Sequence, residues 1–502
     1  MNKASHELGD LRCRSPYHGR PGVAAQSHEL GKLRVAAAVL TVAVLASPVL
    51  ASETHSLPAH GVIGVGQKEL TPEFWIAQLE QPDRIVFDRT AVESQNAKVV
   101  RLDPSMHDLR ALPRTLTRER VAALVEGLAD PPSSTLYDVA GKPVSDEALA
   151  VLLDNRNLAA IPGQQATRYG LVVHRADLRT FPTTLRVFRA PGNTDIDRFQ
   201  ESALFPGTPV VIAHESLDER WWFIVSPRYA AWIEKQQVAE GPADEVFAYG
   251  EKSPYRIVTG ATVNTVFSPE EPALSELQLD MGVRVPVLGG DAAGPVNGQH
   301  PYASYVIELP TRAAEGGLEL KPALLQRNSD TAGDYLPLTR ANIIRQGFKF
   351  LGERYGWGHS YNGRDCSGFV SEVYRSMGVQ MPRNTSAQSV SPALEKRQFG
   401  DEDDSSARME AIASLQVGDL VYIPGHVMMV IGDIGGEPWV IHDTTGISYR
   451  TPDGAMTRVS LNSVSVTPLM PLEFNDSESY VDRMTSIVRI YPNNAREASS
   501  QP

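Results

Sequence analysis

Cysteine is almost absent from this chain: of 502 residues only Cys13 and Cys366 carry a thiol. Cys13 lies in an N-terminal leader, so the mature chain keeps one thiol and has no internal disulfide. An excess of positive charge is missing too. The formal net charge is −13, which excludes nucleic acid as the main partner. Disorder is excluded by a hydrophobic share of 42% with 21% charged residues, the composition of a chain that builds cores. The length suits three or four domains of ordinary size, and 36 prolines with 39 glycines point to many turns and small β-rich units.

One apolar run stands out, VAAAVLTVAVLASPVLASE from Val35 to Glu53, preceded by Lys32 and Arg34. It ends in small residues at Ala51–Ser52 and reads as a signal peptide or leader over residues 1–51. The protein is then exported, to the periplasm or to the cell wall and beyond. The alternative is a membrane-spanning helix; Pro48 and the small-residue exit favour cleavage, hence no stable membrane insertion afterwards. No cysteine follows the exit, so lipid acylation has no acceptor there. SHELGDLR (Ser5–Arg12) returns as SHELGKLR (Ser27–Arg34), and no fold follows from two copies.

Beyond the leader, residues 52–160 read as an N-terminal helical arm. TPEFWIAQLEQPD, TRERVAALVEGLAD and SDEALAVLLDNRN each open on a capping residue, and the segment from Ser52 to Leu112 is otherwise extended and polar. From Thr167 the pattern turns to short apolar runs split by Pro, Gly and charge. Two sets of such runs, over 165–240 and 250–315, suggest two small antiparallel barrels. LTRANIIRQGFKFLG (Leu338–Gly352) is an amphipathic helix, and GDEDDSSARME (Gly400–Glu410) reads as a solvated acidic loop. Helices followed by strands over 338–492 give an α+β domain.

The candidate chemistry centres on ERYGWGHSYNGRDCSGFVSEVYRSMG (Glu353–Gly378). Phe369, Val370, Val373, Tyr374 and Met377 fall on one helical face, so Cys366 sits in or just before the first turn of a buried helix. A helix N-terminus favours the thiolate, the nucleophilic form. His426 and His442 lie sixteen residues apart in strand-like contexts joined by GDIGGEP, which would place them on neighbouring antiparallel strands. In a catalytic reading His426 takes the thiol proton, His442 orients the His426 ring, and the Cys366 N–H with Tyr355 supplies the oxyanion site. One Cys and two His would also suit a zinc ion with an open fourth position; nothing in the spacing requires a metal.

YGWGHSYNGRDCSGFV resembles the signature of the NlpC-type bacterial cell-wall cysteine peptidases. MPRNTSAQS (Met381–Ser389) and VGDLVYIPGHVMMVIGD resemble the blocks that follow it. Multi-domain members carry two bacterial SH3-like domains and an N-terminal helical arm, and Asp197–Ile233 resembles the first of these. The resemblance implies an α+β, papain-like minimal peptidase domain at the C-terminus. It implies Cys366 as nucleophile, His426 as base and His442 as third polar residue, with Tyr355, Asp365 and Ser367 binding substrate. No cofactor or metal is implied. The implied partner is a peptidoglycan stem peptide cut between γ-D-glutamate and a diamino acid, with Glu201 or Tyr229 near a free N-terminal amine. An inert wall-binding protein, or an amidase or acyltransferase using the same Cys-His-His set, remains the alternative. His359 departs from the signature, which has a second glycine after Trp-Gly.

Overall fold

Capping side chains set the boundaries of the first helices. The computed structural model describes residues 60–289 and 294–492; the leader lies outside the described residues. Asp88, Thr117 and Ser145 each accept the backbone N–H three residues on, opening helices Arg89–Leu102, Arg118–Leu128 and Asp146–Asn155. The helix expected over Thr71–Asp83 is only Pro72–Ile76. The longest helix among the described residues, Arg89–Leu102, arises where an extended segment was expected. It buries only Val92 and Val99, two turns apart, so its sequence shows little apolar periodicity. Trp75 is 1% exposed and its ring centroid lies 5.5 Å from that of Trp439, which ties this region to the C-terminal core.

Strands Arg168–Val172, Ala176–Arg179, Gln200–Leu204, Pro209–Glu215, Trp221–Val225, Ala230–Glu234 and Val238–Gly241 form a seven-stranded antiparallel sheet. All five residues of Trp221–Val225 are buried. Trp221 and Phe223 pack with Val121 and Val125 of the preceding helix, while Trp222 and Ile224 pack with Ile212 and Ile233 on the other face. Coverage of both faces explains the unbroken apolar run.

The two SH3-like β-barrels expected over 165–240 and 250–315 do not form as closed barrels. The second set of strands makes a three-stranded sheet and two separate two-stranded pairs, and no sheet among the described residues closes into a barrel. Most of these strands have only two to four residues, whereas Ser304–Arg312 and Leu318–Gln326 pair with each other over nine. The long pair uses its ladder on itself and the short strands find partners of their own, so no continuous staggered ladder is available to close. They still share a core, built on Val258, Leu279, Val285, Ile307 and Leu325.

The C-terminal block is α+β. Strands Glu395–Gln398, Ser486–Arg489, Leu420–Ile423, His426–Ile434, Glu437–Arg450 and Met456–Pro468 follow one another across one antiparallel sheet. Helices Arg340–Phe348 and Cys366–Arg375 pack on one face, where Ile343, Phe369 and Val373 meet Met429, Ile441 and Val466. Thr339 caps the first of these helices through the Asn342 N–H at 3.0 Å. Half of the acidic stretch Gly400–Glu410 is helical, the start of Ser405–Ile412 capped by Asp404. The described residues all fall in one compact unit, and none of their helices is long and apolar enough to cross a membrane.

Candidate active site

Cys366 is the first residue of helix Cys366–Arg375, and Asp365 is its N-cap, accepting the Gly368 N–H at 2.8 Å. Phe369, Val370, Val373 and Tyr374 are fully buried. Each such burial stabilises by about 1.5–3 kcal/mol, so the core fixes where the sulfur sits. The sulfur lies 4.0 Å from the Gly425 carbonyl oxygen and accepts the Val427 N–H; these two backbone groups flank His426. Burial pushes the thiol pKa up and the Asp365 charge adds to that, against the Val427 N–H and Arg383. The thiolate expected from the helix terminus is therefore not the resting form. The thiol needs a base.

His426 begins its strand, and His442 lies on the adjacent antiparallel strand, where Met429 pairs with Ile441. That register puts the two rings on one face, diagonal to each other. His426 Nε2 and His442 Nδ1 are 2.8 Å apart, and His442 Nε2 is 3.1 Å from Thr467 Oγ1. Burial pulls the His426 pKa down to about 4; burial and His426 hold His442 well below its usual range. Both rings are neutral at pH 7. One proton order uses every nitrogen: His442 Nε2–H donates to Thr467, His426 Nε2–H donates to His442 Nδ1, and the lone pair on His426 Nδ1 is left to accept the thiol proton. The zinc alternative fits poorly. Nitrogens that face each other across 2.8 Å cannot both face a metal, and among the described residues no three His, Cys, Asp or Glu side chains are grouped to hold one.

Asp365 and Ser367 sit beside the nucleophile, but their polar atoms are engaged. Arg383 Nη1 and Nη2 donate to the two Asp365 oxygens at 3.1 and 2.8 Å. The Gly358 N–H adds a bond at 3.0 Å. Burial would raise the Asp365 pKa, yet Arg383, with His359 and the Gly368 N–H, holds it at about 2. Ser367 Oγ donates to Asp365 at 3.2 Å and accepts from Arg383 at 2.9 Å. Tyr355 is 7% exposed; burial, then the Cys366 and Asp365 charges, push its pKa well up, so it stays a donor. Its backbone is tied to the sheet through the Asn462 carbonyl at 3.0 Å.

Several residues at the site carried no sequence signal of their own. Thr467 ends the histidine chain from an unremarkable strand. Arg383 lies in MPRNTSAQS, but nothing local marks it as the partner of Asp365. Asp443 is fully buried with neither oxygen bonded among the described residues; burial and the Asp365 and Glu353 charges raise its pKa well above the usual range. The seven-stranded sheet also enters the site. Gln200 Nε2 donates to the Gly358 carbonyl at 2.9 Å, the Gln200 carbonyl accepts Trp357 Nε1–H at 3.1 Å, and Arg383 Nε donates to Ser202 Oγ at 2.7 Å.

Comparison with known proteins agrees with this architecture. Residues 352–466 match the NlpC/P60 family, and residues 186–234 match an SH3 domain of the SH3b1 type. The chain thus carries an NlpC/P60-family cysteine peptidase fold with one associated SH3-like domain. A solved NlpC/P60 endopeptidase from Photobacterium damselae subsp. piscicida superposes with a TM-score of 0.67 at 16% identity, over 82% of this chain and 96% of that one. An NlpC/P60 family protein from Bacillus cereus gives a TM-score of 0.45 at 21% identity, over 64% of this chain and all of that one. Among curated proteins, a γ-D-glutamyl-L-lysine dipeptidyl-peptidase of Bacillus cereus is 28% identical over 218 residues, which is 41% of this chain. The match spans 54% of that relative's length.

Proposed function

We propose that this protein is an exported cysteine peptidase that hydrolyses the bond between γ-D-glutamate and a diamino acid in peptidoglycan stem peptides. The observation that carries the reading is the Cys366 sulfur seated against the backbone on both sides of His426, with His426, His442 and Thr467 in one hydrogen-bonded line. His426 Nδ1 takes the thiol proton as sulfur attacks the γ-carbonyl carbon, and the Cys366 N–H and Tyr355 hydroxyl receive the oxyanion. The C–N bond breaks, the proton on His426 passes to the leaving amine, and a thioester remains. Water, deprotonated by His426, then releases the acyl group and the thiol.

Substrate selection falls to the SH3-like domain. Glu201 is skipped in the pairing of its strand, because Arg179 pairs with Gln200 and Leu178 with Ser202. A bulge of this kind turns a side chain out of the regular alternation. Glu201 accepts hydroxyl protons from Thr180 and Tyr229, each at 2.5 Å, and its carboxylate keeps lone pairs for a substrate ammonium. Asp365, held by Arg383, shapes the pocket rather than meeting the amine. The name of the Bacillus cereus relative, a peptidase acting after γ-D-glutamate, agrees with this reading. The test is digestion of L-Ala-γ-D-Glu-meso-diaminopimelate with and without an N-acetyl cap. Diaminopimelate should be released from the uncapped peptide by wild type and not by Cys366→Ala. Equal cleavage of the capped peptide removes the role of Glu201, and no cleavage of either removes the peptidase.

A further inference from the structure

His359 follows Trp357-Gly358 in the stretch that resembles the family signature, which usually has a second glycine there. Its backbone is in the left-handed region at φ +66°, uncommon for a residue with a side chain and costing on the order of 1 kcal/mol or more. The ring is 1% exposed. Nδ1 lies 2.8 Å from Arg383 Nη2, and Nε2 lies 3.0 Å from Glu372 Oε1. Arginine can only donate and an ionised carboxylate can only accept. A neutral imidazole with its proton on Nε2 satisfies both ends at once, and burial, with the Arg383 charge, keeps the ring neutral by lowering its pKa to about 3. Glycine, with no side chain, bridges nothing.

We propose that His359 is a positioning residue for the nucleophile: its ring links the buried Arg364–Glu372 pair to the Arg383–Asp365 pair and so fixes the first turn of the Cys366 helix. Arg364 Nε binds Glu372 Oε2 at 2.6 Å, and its other nitrogens reach Glu353 and Asp280, each at 2.7 Å. Arg364, Glu372 and Asp280 are buried, and Glu353 stands at the half-buried edge of the cluster. Through His359 it sets the rotation of Arg383, whose guanidinium neutralises Asp365 beside the sulfur. The ring also presses on the helix directly. A Cβ on Gly368 would lie 2.6 Å from His359 Cε1, so that position has room only for glycine. On its other side the ring meets Phe205 of the SH3-like region edge-on, with centroids 5.8 Å apart.

The proposal rests on Cys366 being the nucleophile, and its test separates the two ideas. His359→Gly, His359→Gln and wild type are compared for stem-peptide hydrolysis, for the pH dependence of Cys366 alkylation, and for melting temperature. Glycine takes φ +66° without strain, but it leaves Arg383 and Glu372 without the ring between them, so His359→Gly should melt lower than wild type, and hydrolysis and alkylation are read well below its melting temperature. Its kcat should nonetheless fall about tenfold or more, the usual effect of losing an orienting partner, with KM changed by less than about threefold. Its alkylation midpoint should rise by about half a pH unit or more as Arg383 loosens from Asp365. His359→Gln, whose amide can accept from Arg383 and donate to Glu372, should restore kcat to within about threefold of wild type. Added imidazole should partly rescue His359→Gly. A His359→Gly enzyme within twofold of wild type in kcat and unshifted in alkylation overturns the proposal. So does a His359→Gln enzyme as impaired as His359→Gly. If wild type hydrolyses no stem peptide, the proposed function fails and the alkylation midpoints alone decide. If His359→Gly does not fold, His359→Asn, which tolerates the left-handed region but is too short for the bridge, takes its place.

Discussion

Arg383 is where stability and chemistry meet most directly. All five of its N–H bonds are used inside the protein, to Ser202, to both oxygens of Asp365, to Ser367 and to His359. Replacing it with methionine keeps much of the volume and leaves the Asp365 carboxylate buried without its cation. Breaking a buried pair from one side costs about 3–5 kcal/mol. At an m-value of about 3 kcal/mol/M that lowers the urea midpoint by on the order of 1 M, which tryptophan fluorescence can follow. Adding Asp365→Asn removes the stranded charge. The double variant should therefore regain about 2 kcal/mol over Arg383→Met alone, a coupling that defines the pair. The acid side gives an independent reading. The Asp365 pKa is held at about 2, below the ordinary 3.8, so its stabilisation is fully present above the unfolded pKa and is lost as pH falls through about 2. It amounts to about 2 kcal/mol, and Arg383→Met should lack it. An Arg383→Met protein within about 0.5 kcal/mol of wild type, or single-variant losses that simply add, would refute the reasoning.

The neutral histidine pair sets the acid limb of activity. Because burial holds His426 at about 4, the base should stay competent well below pH 6.5 and fail as pH drops through about 4, visible as the lower limb of a kcat/KM profile; a limb near 6.5 contradicts it. The same ring binds no proton between 6.5 and 4 while the unfolded chain does, so up to about 3 kcal/mol of stability should disappear as pH falls across that window. Thr467→Val removes the acceptor for His442 Nε2–H, and kcat should fall about tenfold with KM nearly unchanged, measured by steady-state hydrolysis. Gly356→Ala puts a Cβ 2.1 Å from the Ser360 carbonyl oxygen, so the Trp357–Asn362 loop cannot keep its course. The variant should lose hydrolysis and the protection of Cys366 from alkylation.

What was legible in the sequence was local. The Cys366 helix announced itself through apolar residues at helical spacing, and its Asp365 cap and Gly378, at φ +83°, sit where such residues stop and start helices. The placement of His426 and His442 followed from strand alternation across one short turn. Three things were not legible. The helix Arg89–Leu102 was hidden because it buries two positions only. Both sets of strands read alike as barrels, yet no sheet among the described residues closes, because closure depends on strand pairing and stagger, which apolar runs do not encode. The helix terminus alone pointed to a lowered thiol pKa, whereas burial under chain segments far from Cys366, with the neighbouring Asp365 charge, pushes it up. Thr467, Arg383 and Asp443 were missed for the same reason, since each matters only through a partner brought from elsewhere in the chain.

The most direct test of the central claim is to catch the covalent intermediate. Wild type and Cys366→Ala are mixed with uncapped L-Ala-γ-D-Glu-meso-diaminopimelate, quenched in acid within the first turnover, and weighed intact by mass spectrometry. The account predicts an adduct of the L-Ala-γ-D-Glu acyl group on wild type, mapped to the peptide containing Cys366 and absent from Cys366→Ala, with diaminopimelate released in step. Diaminopimelate released without any adduct on Cys366, or released equally by Cys366→Ala, would contradict it.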